Sequence, residues 1–281
     1  MRKVLVHLHV YYNDQVDYFI EKLGNINGVS WDLVVTYSEW NEQTSKKLRM
    51  FKPDVSFVKV DNYGYDIMPF IMLMKETDLQ EYDYVIKLHT KRSMGKCRPN
   101  IIMFEGYDWR NALVDGILYS RDHFMKVLNK FEQNPCLGMI SNLSVCVTRD
   151  YYHDAVRKEL TRIGLEKKDR HTCMGSMFMM RSEPLQLLKN DLITEDIFKK
   201  DIPLSGTFFQ KAHLYERILS HLPINAGMRY ETVCPNKSDF YRIKISKAIE
   251  PVGKFFFWCQ REGPMRQKVI RVLGITVYKG E

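Results

Sequence analysis

Five polar side chains follow one short apolar run: Lys87, His89, Thr90, Lys91 and Arg92 close the segment that begins at Tyr84. Ammonium, imidazole and guanidinium groups crowded together offer charge-assisted hydrogen bonds to an anion, and phosphate oxygens suit them best. Tyr84-Val85-Ile86 is β-branched and aromatic and is bounded by polar residues, as a central strand should be. In open α/β sheets ligands lie outside the carboxyl ends of strands, so this cluster stands where a ligand is expected. The two-residue period of a strand puts Lys87 and His89 on one face and Leu88 on the other, so the two can converge. The bland alternative is a solvated basic loop.

Such a cluster needs a sheet behind it, and the chain supplies one. Lys3–Val10 reads as the first strand, 16–23 as a helix ended by Gly24 and Gly28, and Trp31–Thr36 as the second strand. A polar helix over 38–50, a strand over 55–60 and a helix from Asp66 lead to the strand at Tyr84. Strands alternating with helices predict βαβ units and a mainly parallel sheet. Beyond it the spacing predicts one helix over 103–131, a strand at 137–140, a helix over 151–165, a strand over 174–181 and a short helix at 183–188. Residues 191–206 read as irregular, 208–222 as helix and 227–232 as extended. Asn62-Tyr63-Gly64 is a turn in which Gly64 can take positive φ and approach a ligand.

The 281 residues suffice for one large α/β domain over 1–235 with an appendage over 236–281. Hydrophobic content of 45% and charged content of 27% exclude a disordered chain. Six scattered cysteines without CxxC spacing look like reduced cytosolic thiols, not a disulfide frame or a zinc site. The opening MRKVLVHLHV is too short and too interrupted by histidine for a signal peptide, and no run reaches the roughly 18 apolar residues of a membrane span. From Asn236 onward ten Lys/Arg face four Asp/Glu, so the tail carries +6 of the total +8.

Several blocks together resemble the rhamnan synthesis protein F family. They are His9-Val10-Tyr11-Tyr12, Asp32–Thr36, the Asn62–Phe70 block (N-x-G-x-D-I-x-P-F), Tyr82–Val85, and Lys87-Leu88-His89-Thr90-Lys91. Trp109-Arg110, Leu137–Ile140, Gly175–Phe178 with Arg181, and His213 with Glu216-Arg217 follow in the same order, so the resemblance spans about residues 4–222. The family builds bacterial surface polysaccharides, often containing rhamnose, from nucleotide-activated sugars. The resemblance implies a GT-A-like, Rossmann-type fold and a hexosyltransferase taking a nucleoside-diphosphate sugar, dTDP-rhamnose or similar, with inversion. It places His9, Tyr11 and Thr36 at the nucleoside, and Asn62, Gly64, Asp66, Lys87, His89 and Lys91 at the rest of the donor. Asp66 either caps the following helix or accepts from donor hydroxyls.

GT-A-like enzymes commonly carry an Asp-x-Asp pair for a divalent metal at the position that here reads Lys87-Leu88-His89. Lysine and protonated histidine could neutralise a departing diphosphate directly, so metal-independent catalysis is the expectation, with magnesium or manganese as the alternative. Glu216 or His213, three apart on one helix face, would be the general base, with Asp196 and Asp201 in reserve. The family's Asp-Gly-Thr before this helix is Ser205-Gly206-Thr207 here. Trp109, Arg110 and Ser176 would face the acceptor by analogy, although Trp109, at helical spacing among Phe104 and Leu113, reads rather as core.

The tail interleaves Phe255-Phe256-Phe257-Trp258 with Lys254 and Arg261. It then sets Arg266, Lys268 and Arg271 beside Val269, Ile270 and Leu273 at helical spacing. Such a basic amphipathic helix suits the cytoplasmic face of an inner membrane and a lipid-linked saccharide acceptor. No nucleic-acid-binding motif is present. The competing reading is a non-catalytic sugar-nucleotide or glycan-binding subunit.

Overall fold

Valine- and leucine-rich runs alternating with amphipathic stretches fold as three successive βαβ units. The computed structural model describes residues 2–97, 102–147, 153–166, 171–199, 210–262 and 267–280. In it the first ninety residues run β1 (Lys3–Val10), α1 (Val16–Leu23), β2 (Ser30–Tyr37), α2 (Glu42–Phe51), β3 (Ser56–Lys59), α3 (Ile67–Glu76) and β4 (Tyr84–His89). The second helix starts at Glu42, later than Ser38, because the Asn41 side chain accepts from Thr44 N at 2.9 Å and caps it.

There follow β5 (Met94–Cys97), β6 (Phe104–Gly106), α4 (Asp108–Leu118), α5 (Arg121–Gln133), β7 (Leu137–Asn142), β8 (Cys146–Val147) and α6 (His153–Arg162). Next come β9 (Thr172–Cys173), β10 (Phe178–Arg181), α7 (Ser182–Leu185), α8 (Asp196–Lys199), α9 (Lys211–Asn225) and β11 (Arg229–Val233). The helix expected over 103–131 is thus divided. Ser120 accepts from His123 N at 3.1 Å, and this cap opens α5. The strand expected over 174–181 is confined to its second half, with a turn before it.

Seven strands form one sheet in the order β3-β2-β1-β4-β10-β7-β11, parallel apart from β10. Its register fixes the chemistry of one face. His7 lies beside Lys87, and His9 lies between Thr36 and His89. In-register neighbours of a parallel pair point the same way, so all five side chains share a face. α3 covers that face; its Phe70 ring lies 5.5 Å from His7 and 5.9 Å from Phe178. β4 is buried along its whole length, as a strand with helices on both sides should be.

The tail is only partly the expected helix. α10 (Lys237–Phe256) is followed by an antiparallel sheet of β12 (Phe257–Glu262), β13 (Gln267–Val272) and β14 (Ile275–Gly280). Lys268, Val269, Ile270 and Arg271 therefore lie on a strand. The Val-Ile content and the hairpin turn Leu273-Gly274, with φ of +49° and +77°, outweigh the helical spacing. Ile243 of α10 is buried in the main core. Tyr151, Asp201, Ser205-Gly206-Thr207, Phe208 and Arg266 lie outside the described residues, as do the side chains of Lys254, Phe255, Phe257, Trp258 and Arg261.

Candidate active site

The face shared by β1, β2 and β4 carries a buried polar cluster. Thr36 Oγ1 lies 2.8 Å from His7 Nε2 and 2.9 Å from His9 Nδ1. The hydroxyl has one proton, so it donates to one imidazole and accepts from the other. Lys87 is fully buried; its ammonium donates to Asp66 Oδ2 in a very short bond and to Ser176 Oγ at 3.0 Å. Ser176 donates to the same carboxylate oxygen at 2.9 Å, and His89 Nε2 stands 3.6 Å from it.

Charge in this cluster is balanced internally. Burial opposes ionisation of Asp66, but the pull of His89, Lys87 and His9, with the Lys87 hydrogen bond, holds its carboxyl far below the ordinary range. Both ring nitrogens of His89 face carbonyl oxygens, Gly175 O at 2.8 Å and Thr90 O at 3.0 Å. Burial pushes the imidazole below its ordinary value. Burial also lowers His9, to about 4, and His7 well below its ordinary value. Lys87 is the cation in direct contact with Asp66. This corrects the expectation of protonated histidine against a diphosphate: Lys87 and His89 do converge, but upon a carboxylate of the same chain. The helix-cap alternative for Asp66 also fails, since its side chain makes no bond to the first turn of α3.

Two left-handed turns clasp the cluster. Gly64 and Tyr65 have φ of +70° and +52°, and Gly175 and Ser176 have +98° and +48°. A Cβ on Gly64 would come within 2.4 Å of Met68 Cβ, and one on Gly175 within 2.5 Å of Leu113 Cδ1. Glycine is thus required by space as well as torsion at Gly64, and by torsion at Gly175. Glu216 Oε1 accepts from Gly175 N at 2.5 Å, and Glu216 Oε2 lies 3.5 Å from Arg217 Nη1. His213 Nδ1 accepts from Gln210 N at 3.1 Å, and its ring stands 5.5 Å from that of Tyr65. One face of α9 therefore backs both turns.

Other expected residues lie further out. Thr90 Oγ1 accepts from Tyr11 N and Tyr12 N, tying the ends of β1 and β4, while the Tyr11 ring is half exposed. Lys91 Nζ lies 4.7 Å from the Trp109 ring centre, and Trp109 Nε1 donates to Met174 O at 3.2 Å beneath the Gly175 turn. Arg110 is not brought to the cluster. It is buried 3.8 Å from the Tyr18 ring, donating to Gln15 and Asn111. Asn62 is exposed, and so is Asp196, which lies 3.9 Å from Lys199.

Sequence reasoning passed over His7, Gln15 and Trp40. The signal for His7 was its two-residue step to His9. Gln15 clamps the Lys91 backbone, donating to its O at 2.9 Å and accepting from its N at 3.2 Å. Trp40 stands edge-on to Tyr37 and Phe57, at 5.0 and 5.4 Å, around a shallow recess at the carboxyl ends of β1 to β3.

A divalent cation, which the fold class commonly implies, needs oxygen ligands. Asp66 Oδ2 already receives an ammonium and a hydroxyl, and the Lys87 charge would repel a second cation. Among the described residues the donor set does not fit a metal at this strand end.

A mainly parallel sheet flanked by helices, with polar chemistry gathered at the strand ends, defines an α/β protein. Rhamnan synthesis protein F matches residues 1–228, and the chain belongs to that family. An uncharacterized protein, WxcX, of Xanthomonas campestris pv. campestris is 24% identical over 233 residues, covering 80% of this chain and 32% of WxcX. The chain spans about a third of the length of the curated relatives it matches. Among solved structures, the mannosyltransferase PcManGT from Pyrobaculum calidifontis, in complex with GDP-Man and Mn2+, has a TM-score of 0.40 and 12% identity over 90% of this chain and 63% of that one. S. aureus TarS 1–349 in complex with UDP has a TM-score of 0.44 and 12% identity over 89% and 65%.

Proposed function

We propose that the chain is a glycosyltransferase that moves a hexose, rhamnose or a similar sugar, from a nucleoside diphosphate to a growing surface polysaccharide, with inversion. The observation that supports this best is the Asp66–Lys87–Ser176 constellation at the carboxyl ends of β1 and β4, set between two left-handed turns. Lys87 holds Asp66 ionised and fixes its orientation, leaving Oδ1 to accept from hydroxyls of the donor sugar. The half-exposed rings of Tyr11 and Trp40, just past the carboxyl ends of β1 and β2, suit stacking on the nucleobase. Lys91 and Arg92, on the rim, are the cations for the diphosphate, in a reaction without a metal. Glu216 takes the proton of the acceptor hydroxyl as the bond to the anomeric carbon forms.

The test is donor turnover by the purified chain across dTDP-, UDP- and GDP-sugars, with and without EDTA. Glu216→Gln should cut turnover by about 10²–10⁴-fold and spare donor binding. An unchanged rate removes Glu216 from the role, and turnover abolished by EDTA and restored by manganese removes the metal-free mechanism.

A second reading has one observation in its favour. Glu216 and His213 already hold backbone N–H groups at Gly175 and Gln210, as in a binding protein that keeps the fold without the base. Saturable donor binding with no turnover would establish it.

For the tail, we propose peripheral binding to an anionic membrane, the cytoplasmic face of the inner membrane, close to a lipid-linked acceptor. Tyr241, Ile245, Ile249 and Phe256 are exposed at helical spacing on α10, with the exposed Lys244 beside them. Among the described residues no helix is long and apolar enough to cross a membrane. Ile245→Glu with Ile249→Glu should release the chain from anionic liposomes.

A further inference from the structure

A cavity of about 590 Å³ opens at the carboxyl ends of β7 and β11, between α4 and the start of α10. It falls within the roughly 300–1,000 Å³ range of small-molecule sites. One wall is a face of α4, where Asp108, Asn111 and Asp115 recur at steps of three and four. The opposite wall is Asp239 and Arg242 of α10, and Asn142 forms the floor. Nothing in the cluster around Asp66 uses these residues. α4 is the partition, since Trp109 reaches the Gly175 turn from another of its faces.

The walls are held in place. Asn142 Nδ2 donates to Ala112 O at 2.6 Å, and its Oδ1 accepts from Ser144 N and Oγ, both at 2.9 Å. Gly116 lets α4 sit directly on this floor, because a Cβ there would come 2.8 Å from Asn142 N. Asp115 is paired with Lys22 at 2.7 Å.

The chemistry of the lining selects a ligand class. Three carboxylates, Asp108, Asp115 and Asp239, face two cations, Lys237 and Arg242, and Lys22 matches Asp115 from behind. Among the described residues the charges of the lining therefore balance, which favours neither a phosphate nor a metal. Carboxylate, amide and guanidinium groups present acceptors and donors side by side, the pattern that adjacent hydroxyls on a sugar ring satisfy. Tyr119, half exposed, adds ring surface for its C–H faces.

We propose that this cavity binds a neutral oligosaccharide. Its assignment as the glycan being extended rests on the glycosyltransferase reading above. The test titrates the full chain with neutral trisaccharides of rhamnose, mannose and glucose, followed by saturation-transfer NMR, alongside UDP and dTDP. At least one trisaccharide should bind, and Asn111→Ala and Arg242→Ala should each weaken it about tenfold, with nucleotide binding unaltered. The two variants lie on different walls, so loss of fold in one leaves the other decisive. Failure of every trisaccharide to bind the wild-type chain, or equal binding by a folded variant, overturns the proposal. Glycan binding that passes while no nucleotide sugar is turned over sinks the glycosyltransferase reading and leaves the cleft standing.

Discussion

The carboxyl ends of β1, β2 and β4 and those of β7 and β11 lie along one edge of one sheet, yet they manage charge in opposite ways. At the first, Lys87 is fully buried and matched to Asp66, with histidines kept uncharged around the pair. At the second, Asp239 and Arg242 stand 3.9 Å apart on the wall of an open cavity, with 26% and 65% of their side chains exposed. A sealed ion pair fixes geometry and makes every member costly to lose. A wet one leaves its groups available to a ligand and cheap to replace.

The largest effect should come from breaking the sealed pair. Lys87→Met strands a buried carboxylate and should cost about 3–5 kcal/mol in denaturant melts, whereas adding Asp66→Leu should recover at least half. Next is the clasp. Gly175→Ala must hold a φ of +98° and meets Leu113, so about 1–3 kcal/mol is expected, with donor binding weakened as Ser176 leaves Asp66.

Acid should expose the same asymmetry more gently. His9 is lowered from 6.5 to about 4, so below its ordinary value the unfolded chain binds more protons than the folded one. Its contribution is therefore complete above pH 6.5 and lost as pH falls to 4. Thermal melts across that window should decline, and His9→Gln should flatten the decline. The smallest effect is at the open end, where Arg242→Ala should move stability by no more than about 0.5 kcal/mol. A loss there as large as that at Lys87 would erase the contrast.

Much of this was legible before the fold was seen. Alternation located β1 to β4, and the two-residue period put Lys87 and His89 on one face. That Asp66 closes an ion pair with Lys87 was not, because Asp66 sits before a helix and its partner lies 21 residues on. The break in 103–131 was signalled by Ser120 but hidden by continuous apolar spacing across it. The tail misled because Val269, Ile270 and Leu273 fit a helix by spacing and a hairpin by composition, and the Leu273-Gly274 turn decided between them. The cavity has no motif at all. It exists because the ends of two strands, a helix face and a distant segment meet in space.

Reversal of β10 has a consequence for inheritance as well as for shape. Its parallel neighbours offer the edge their last residues, but β10 offers its first, so Ser176 enters the cluster just ahead of a strand locked to Lys87 on one side through Phe178 and to Ile140 on the other through Met179. Slippage by a single position would turn every methionine of that strand inside out and pull the hydroxyl away from Asp66. Insertion is therefore excluded within the few residues after the Gly175 turn, which couple the two halves like the teeth of a vernier.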